Sequence, residues 1–289
     1  MKRKHKINHD FFNVWSSDMA YILGFWWADG WIDKNGSGHK FCISQAKNNS
    51  YILNRILKKM DSDYPVIERK WGVCYFAIQS RPIVENIESL GGKENKSLDV
   101  KFPNVPSQYL HDFVRGYFDG DGCICESKDR RREGKTNFSI SFTSGSKELL
   151  DGLLKELRKN ICGFNGYICR KKEKTKTANS VIWKHDNFAY VLFGASNDAR
   201  RLKDFMYRDE KELRLNGKYE KFRNIGEIHG LYLKSSFVTF SSCLKVTKLN
   251  EFKNYWEWKN YAREHKELPI CPQKVYKEQW KGWKHFLHH

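Results

Sequence analysis

Asp29 and Asp121 are the residues in this chain best placed to do chemistry. Asp29 closes the run Ile22-Leu23-Gly24-Phe25-Trp26-Trp27-Ala28-Asp29-Gly30, and Asp121 closes Val114-Arg115-Gly116-Tyr117-Phe118-Asp119-Gly120-Asp121-Gly122. Each run reads as an apolar helix with small residues four apart, Gly24 and Ala28 in the first, Gly116 and Gly120 in the second. Small residues at i and i+4 share a face and let a second helix backbone come close. The Asp-Gly ending predicts a helix C-terminus with its glycine in the left-handed conformation. A carboxylate in the last turn faces the negative end of the helix dipole, at a cost of a few tenths to about 1 kcal/mol. Two helices packed through their small faces would bring both carboxylates together, and adjacent carboxylates call for a cation. Asp119 also ends the second run, but Trp27 stands at its place in the first. A symmetric pair therefore selects Asp29 and Asp121.

The two aspartates lie 92 residues apart, and the pattern around them repeats. Ser16 or Ser17 is placed to cap the first helix, and Ser107, after Pro106, the second. Trp31-Ile32-Asp33 and Lys40 to Gln45 flank the turn Asn35-Gly36-Ser37-Gly38, a hairpin signal. A helix with Ile52, Leu53, Ile56, Leu57 and Met60 on one stripe follows. Pro65 to Glu68 and Val73 to Ile78 surround Arg69-Lys70-Trp71-Gly72 as a second hairpin, closed by a helix over 82–90. In the second unit, Cys123 to Glu126 and Phe138 to Phe142 precede a helix carrying Leu149, Leu150, Leu153, Leu154 and Leu157. Tyr167 to Arg170 and Val181 to Trp183 then form the expected hairpin, before Tyr190 to Phe193 and a helix over 199–206. The expectation is an α+β chain: two pseudo-symmetric αββαββα units, 1–105 and 106–223, plus a small Trp- and Lys-rich module over 224–289.

With 52 Lys and Arg against 34 Asp and Glu, the formal charge of +18 suits a polyanion, nucleic acid before an anionic membrane. No long uncharged apolar run supports a membrane partner. Fifteen per cent aromatic residues and 40% hydrophobic residues fit a folded chain. None of the eight cysteines forms a C-x-x-C knuckle, so they read as reduced apolar residues rather than zinc ligands. Met1 to Lys6 reads as a basic arm rather than a targeting segment, which implies a cytoplasmic protein of bacterial or phage type. Basic side chains in or beside the expected hairpins are the candidate phosphate contacts: Lys40, Lys70, Arg130, Arg131, Arg132, Lys135, Arg170, Lys171, Lys172 and Lys174, with Lys277 and Lys281 in the C-terminal module. Aromatics beside basic residues, such as Trp71 and Trp183, read as core or sheet-face packing rather than base stacking.

Both nine-residue blocks, their separation and the hairpin-helix-hairpin order between them resemble the LAGLIDADG homing endonucleases of the two-motif, single-chain type, over roughly residues 10–223. The second block, Phe113 to Gly122, is the stronger match, while Trp27 departs from the acid usual at that place. The resemblance implies two antiparallel sheets forming a saddle on DNA, and a sequence-specific double-strand DNA endonuclease that promotes mobility of an intron or intervening sequence. It implies Asp29 and Asp121 as ligands for Mg2+, or another divalent cation such as Mn2+ or Ca2+. By the same resemblance Gln45 matches a family glutamine, with its counterpart in the second half near Phe142; Lys218 matches a late lysine, and Lys96 is its partner in the first half. All five form the expected catalytic set. A monomer on a long asymmetric duplex site is expected, because duplication supplies internally the symmetry that single-motif relatives obtain by dimerising.

The tail, with Pro-x-x-x-Tyr-Lys at 272–277 and Trp280, Trp283, Phe286 and Leu287 behind it, is similar to a repeat of phage-associated integrase-like proteins. That likeness implies an accessory DNA-binding module in which Trp256, Trp258, Tyr276, Trp280 and Trp283 pack a small core. The alternative function is an RNA maturase, with intron RNA as partner, or a DNA-binding regulator on the same fold without cleavage. An intein is disfavoured, since the chain starts Met1-Lys2 and ends His288-His289 without splicing nucleophiles.

Overall fold

The computed structural model describes residues 5–35, 38–128, 136–172, 188–209, 212–228, 240–265, 268–276 and 279–287. Helix α1 (Ser17–Asp29) starts where the Ser16 hydroxyl accepts a hydrogen bond from the Met19 amide at 3.1 Å. It runs straight into β1 (Gly30–Asp33), which pairs antiparallel with β2 (Lys40–Ala46). Helix α2 (Ser50–Lys59) buries Ile52, Leu53, Ile56 and Leu57, the expected stripe. The hairpin β3 (Ile67–Arg69) and β4 (Val73–Gln79) follows, then α3 (Arg81–Ser89), capped by Ser80. The first sheet has the order β1-β2-β4-β3.

The second unit repeats the plan with α4 (Leu110–Asp121), β5 (Gly122–Lys128), β6 (Thr136–Ser144), α5 (Lys147–Asn160), β7 (Tyr167–Lys172), β8 (Phe188–Gly194) and α6 (Ser196–Met206). Its sheet order, β5-β6-β8-β7, is that of the first sheet. Two pseudo-symmetric αββαββα halves are therefore present. Helix α7 (Asn216–Ile228) packs back against the second half, whose shared core reaches Ile225. Beyond it, α8 (Phe240–Asn250), α9 (Tyr255–Glu264), α10 (Pro272–Val275) and α11 (Trp283–Leu287) enclose a separate core around Cys243, Trp258, Leu268 and Phe286. Among the described residues no helix is long and apolar enough to cross a membrane.

Four local expectations are corrected. Gly30 and Gly122 are extended (φ −98° and −79°), not left-handed, because a strand begins there directly. They must be glycine for another reason: a Cβ would lie 2.1 Å from the Trp26 indole at Gly30 and 2.3 Å from the Phe118 ring at Gly122. Ser107 does not cap α4; residues Ser107–Tyr109 form a 3-10 turn, and the helix starts after Tyr109 with no side-chain cap. β7 pairs with β8, where a hairpin with 181–183 is expected; residues 181–183, Trp183 among them, lie outside the described residues. Trp71 joins neither core nor sheet face: it is 97% exposed.

Candidate functional site

Helices α1 and α4 cross where their small residues meet. A Cβ on Gly24 would sit 2.1 Å from the Phe113 carbonyl oxygen, and one on Gly116 would sit 2.0 Å from that of Tyr21. Backbone lies against backbone, so no larger residue fits. At the C-terminal end a Cβ on Gly120 would meet the Ala28 methyl at 2.2 Å and the Asp29 carboxylate at 3.1 Å. Gly24, Ala28, Gly116 and Gly120 thus form the interface their spacing predicts, and it delivers Asp29 beside the last turn of α4, next to Asp121.

The two carboxylates sense each other. Burial raises the pKa of both, and for Asp121 the Asp29 charge adds to the shift, holding it at about 6. Lys218, Lys96 and the Gln45 amide pull Asp29 back down. Gln45 Nε2 donates to Asp29 Oδ2 at 3.0 Å. Its structural counterpart follows from register: Gly30 pairs with Ile43 and Gly122 with Phe142, so Gln45 corresponds to Ser144, two residues beyond the expected place. Serine is shorter than glutamine, and among the described residues no side chain donates a hydrogen bond to Asp121. The two halves of the site are chemically unequal.

Each lysine closes the end of one motif helix. Lys96 Nζ donates to the Trp27 and Ala28 carbonyls at 2.7 and 3.3 Å, capping α1. Lys218 Nζ donates to the carbonyls of Phe118, Asp119 and Gly120 at 2.9, 2.6 and 3.0 Å, capping α4. A cation at a helix C-terminus satisfies orphan carbonyls and offsets the dipole that would otherwise oppose Asp29 and Asp121. Burial pushes the Lys96 ammonium down to about 8, against the attraction of both aspartates, and lowers that of Lys218 as well.

No local sequence signal marks the next layer out, which holds these lysines. Trp27 Nε1 donates to the Lys101 carbonyl at 3.1 Å, fixing the strip that carries Lys96. At the matching place in the second half, buried Asp119 accepts from Tyr21 Oη at 2.7 Å and from the Leu215 amide at 2.8 Å, fixing the strip that carries Lys218. Asp119 is held at about 6 by burial, eased by these donors. Buried Arg115 pairs with Asp112 at 2.7 Å and donates to the Met206 and Leu213 carbonyls. These partners lie 91 or more residues from α4's side chains in most cases, beyond any local pattern.

The candidate phosphate contacts scatter more widely. Lys70 and Arg170 are exposed on strand ends and turns of the two sheets, and Lys281 is exposed in the C-terminal module. Lys40 is ion-paired with Asp33 at 3.0 Å on the outer face of the first sheet. Arg130, Arg131, Arg132, Lys135, Lys174 and Lys277 lie outside the described residues, as do the side chains of Lys171 and Lys172. In the tail, Trp258, Tyr276, Trp280 and Trp283 join the small core as expected, whereas Trp256 is 64% exposed. Among the described residues no three of His, Cys, Asp and Glu gather into a metal-holding group. The donor set at the helix crossing is two carboxylates, which fits a hard divalent cation whose remaining ligands are water and phosphate oxygen.

Residues 108–205 match the family model of the LAGLIDADG-like domain. Among solved structures, the LAGLIDADG meganuclease I-AabMI bound to uncleaved DNA aligns with a TM-score of 0.50 at 11% identity, covering 72% of this chain and 88% of that one. The homing endonuclease I-WcaI bound to its DNA recognition sequence aligns at 0.46 and 15% identity, covering 74% and 90%. The chain thus shares the fold of I-AabMI, two antiparallel four-stranded sheets with their helices in two pseudo-symmetric halves.

Curated relatives come from Methanocaldococcus jannaschii. The replication factor C small subunit is 26% identical over 204 residues, 69% of this chain and 10% of that protein. Subunit Rpo1C of DNA-directed RNA polymerase is 27% identical over 172 residues, 57% of this chain and 17% of that protein. Reverse gyrase is 28% identical over 163 residues, 52% of this chain and 10% of that protein. The chain spans less than a fifth of the length of each of these three.

Proposed function

We propose that this chain is a divalent-metal-dependent, sequence-specific DNA endonuclease that cuts both strands of a long asymmetric site. The observation that carries the reading is the meeting of Asp29 and Asp121 at the paired ends of α1 and α4, each helix end closed by its own lysine. Asp29 and Asp121 would hold Mg2+ or a similar hard cation. Such a cation, when bound, lowers the charge on a scissile phosphate and acidifies a water beside it. Gln45 orients the Asp29 carboxylate through its amide. Lys96 and Lys218 keep positive charge within reach of both aspartates, and the lowered Lys96 pKa lets it exchange a proton near neutral pH.

Supporting the partner are the net charge of +18 and the DNA to which the similarly folded meganuclease I-AabMI is bound. Duplication inside one chain supports action as a monomer. A segment of this size, shared by a replication subunit, a polymerase subunit and a gyrase of one organism, supports the mobility of an intron or intervening sequence. The C-terminal module would add DNA contacts outside the cutting centre.

The test is cleavage of a plasmid library of randomised and genomic sites by purified protein with added magnesium. Nicked and then linear products are expected from the selected site. Asp29→Asn and Asp121→Asn should bind that site and leave it intact. Cleavage by the double variant at the wild-type rate would overturn the reading, and splicing of a host intron without any cleavage would replace it with a maturase.

A further inference from the structure

Trp71 stands at the tip of the β3–β4 hairpin with 97% of its surface exposed. Full burial of an aromatic side chain is worth several times thermal energy, so an indole left in water is an uncommon choice. Its backbone is uncommon as well. Trp71 has φ 74° and the next residue, Gly72, has φ 70°. A bulky residue in the left-handed region is an outlier, and glycine or asparagine would suit the turn better. Among the described residues nothing repays this choice, because the ring stands 97% exposed.

Its position explains what covers it. The Lys47 amide donates to the Gly72 carbonyl at 2.8 Å, tying the tip to the end of β2. Two residues earlier on that strand, Gln45 touches Asp29. The tip is thus fastened at the end of the sheet that holds the two-carboxylate centre. Its charge is positive: Arg69 and Lys70 precede Trp71, and Glu68 is ion-paired with Lys47 at 2.7 Å. Arg69 lies over the Tyr75 ring at 3.9 Å, which steadies the hairpin below the tip. Exposed Ile67 and Val73 flank it, at 43% and 36%. An apolar, flat side chain on a rigid stalk with cations at its base matches a nucleic-acid wedge: phosphates meet the cations and a base meets the ring.

We infer that Trp71 is a stacking wedge whose indole inserts against a base step of duplex DNA near the cutting centre, deforming it. The inference rests on the endonuclease reading only for the identity of the partner. The probe is a mixed-sequence duplex at low salt, read by affinity, together with a closed plasmid relaxed by topoisomerase in the protein's presence, read by its change in linking number. Trp71→Gly should weaken duplex binding about 5- to 150-fold, which is ~1–3 kcal/mol of stacking converted at 1.4 kcal/mol per decade. It should also abolish plasmid unwinding while Tm stays level or rises, since glycine relaxes the turn. Trp71→Asn should behave alike, and Trp71→Phe should retain most of both DNA readouts. Wild-type protein that binds duplex without unwinding the plasmid, or Trp71→Gly that binds and unwinds as wild type does, overturns the wedge and leaves the endonuclease reading standing. Wild-type protein that binds no DNA at all sinks both.

Discussion

Asp121 titrates at about 6 against an ordinary value of 3.8, because burial and the neighbouring Asp29 both disfavour its charge. The folded chain therefore binds this proton more tightly than the unfolded one. That contribution to stability is fully present below about pH 4 and is lost as pH rises through about 6. Asp121→Asn should accordingly raise stability by roughly 1–3 kcal/mol at pH 7.5 and change it little at pH 4, measured by urea unfolding at both values. Equal gains at both pH values would mean that the charge is not the cause. The same carboxylate must be ionised to hold a cation, so cleavage should fall on the acid side near 6, and neutralisation of Lys96 should bring it down again near 8. In Lys96→Gln the alkaline limb should vanish from the rate profile while the acid limb stays. At this scale the aspartates, Gln45 and both lysines were legible as residue types at motif-relative places. What those lysines touch was not, since the carbonyls they cap belong to helices 68 to 100 residues away.

The helix pair sets the distance between the two aspartates, and glycine sets the distance between the helices. Gly116→Ala would place a methyl carbon 2.0 Å from the Tyr21 carbonyl, with backbone on both sides and no flexible side chain to yield. A loss of about 3 kcal/mol or more is expected, toward the upper end of overpacking effects. The separated carboxylates should lose cleavage at temperatures where the variant is still folded. Among the described residues nothing lies within 4 Å of where a Cβ on Gly217, in the first turn of α7, would sit. Gly217→Ala should stabilise by roughly 0.5–1 kcal/mol through helix propensity. Opposite signs in one set of melting curves would verify the contrast; a tolerated Gly116→Ala would mean the helices are not in backbone contact. The small-x-x-x-small spacing announced this interface. The turn glycines misled, because Gly30 and Gly122 answer to the rings of Trp26 and Phe118 rather than to a left-handed cap, and no local pattern distinguishes the two causes.

As a whole the molecule carries two cores and one strong charge imbalance. Its DNA affinity should drop by about 10³–10⁵ between 50 and 200 mM salt if six to ten phosphates are neutralised, a slope that filter binding or fluorescence anisotropy would give. A salt-insensitive complex would argue against the polyanion partner. The C-terminal module has its own core and touches the second half at Cys162, whose thiol reaches the Val275 carbonyl at 3.7 Å. Removing residues 240–289 should leave the melting transition of the two-half core nearly unchanged while weakening duplex binding. A collapsed melting transition would show instead that the module supports the fold.

By itself the sequence determined the duplicated plan, the helix faces, most strands, the basic character and the pair of acids. All of these follow from periodicities and spacings written within a few turns of chain or repeated at a fixed offset. Tertiary structure alone decided which strand pairs with β7, which residue of the second half corresponds to Gln45, what the two lysines and Asp119 bind, and that Trp71 faces water. The reason is physical: register, burial and the pKa of a buried group depend on neighbours brought in from distant segments, and a single residue's type does not encode who those neighbours will be.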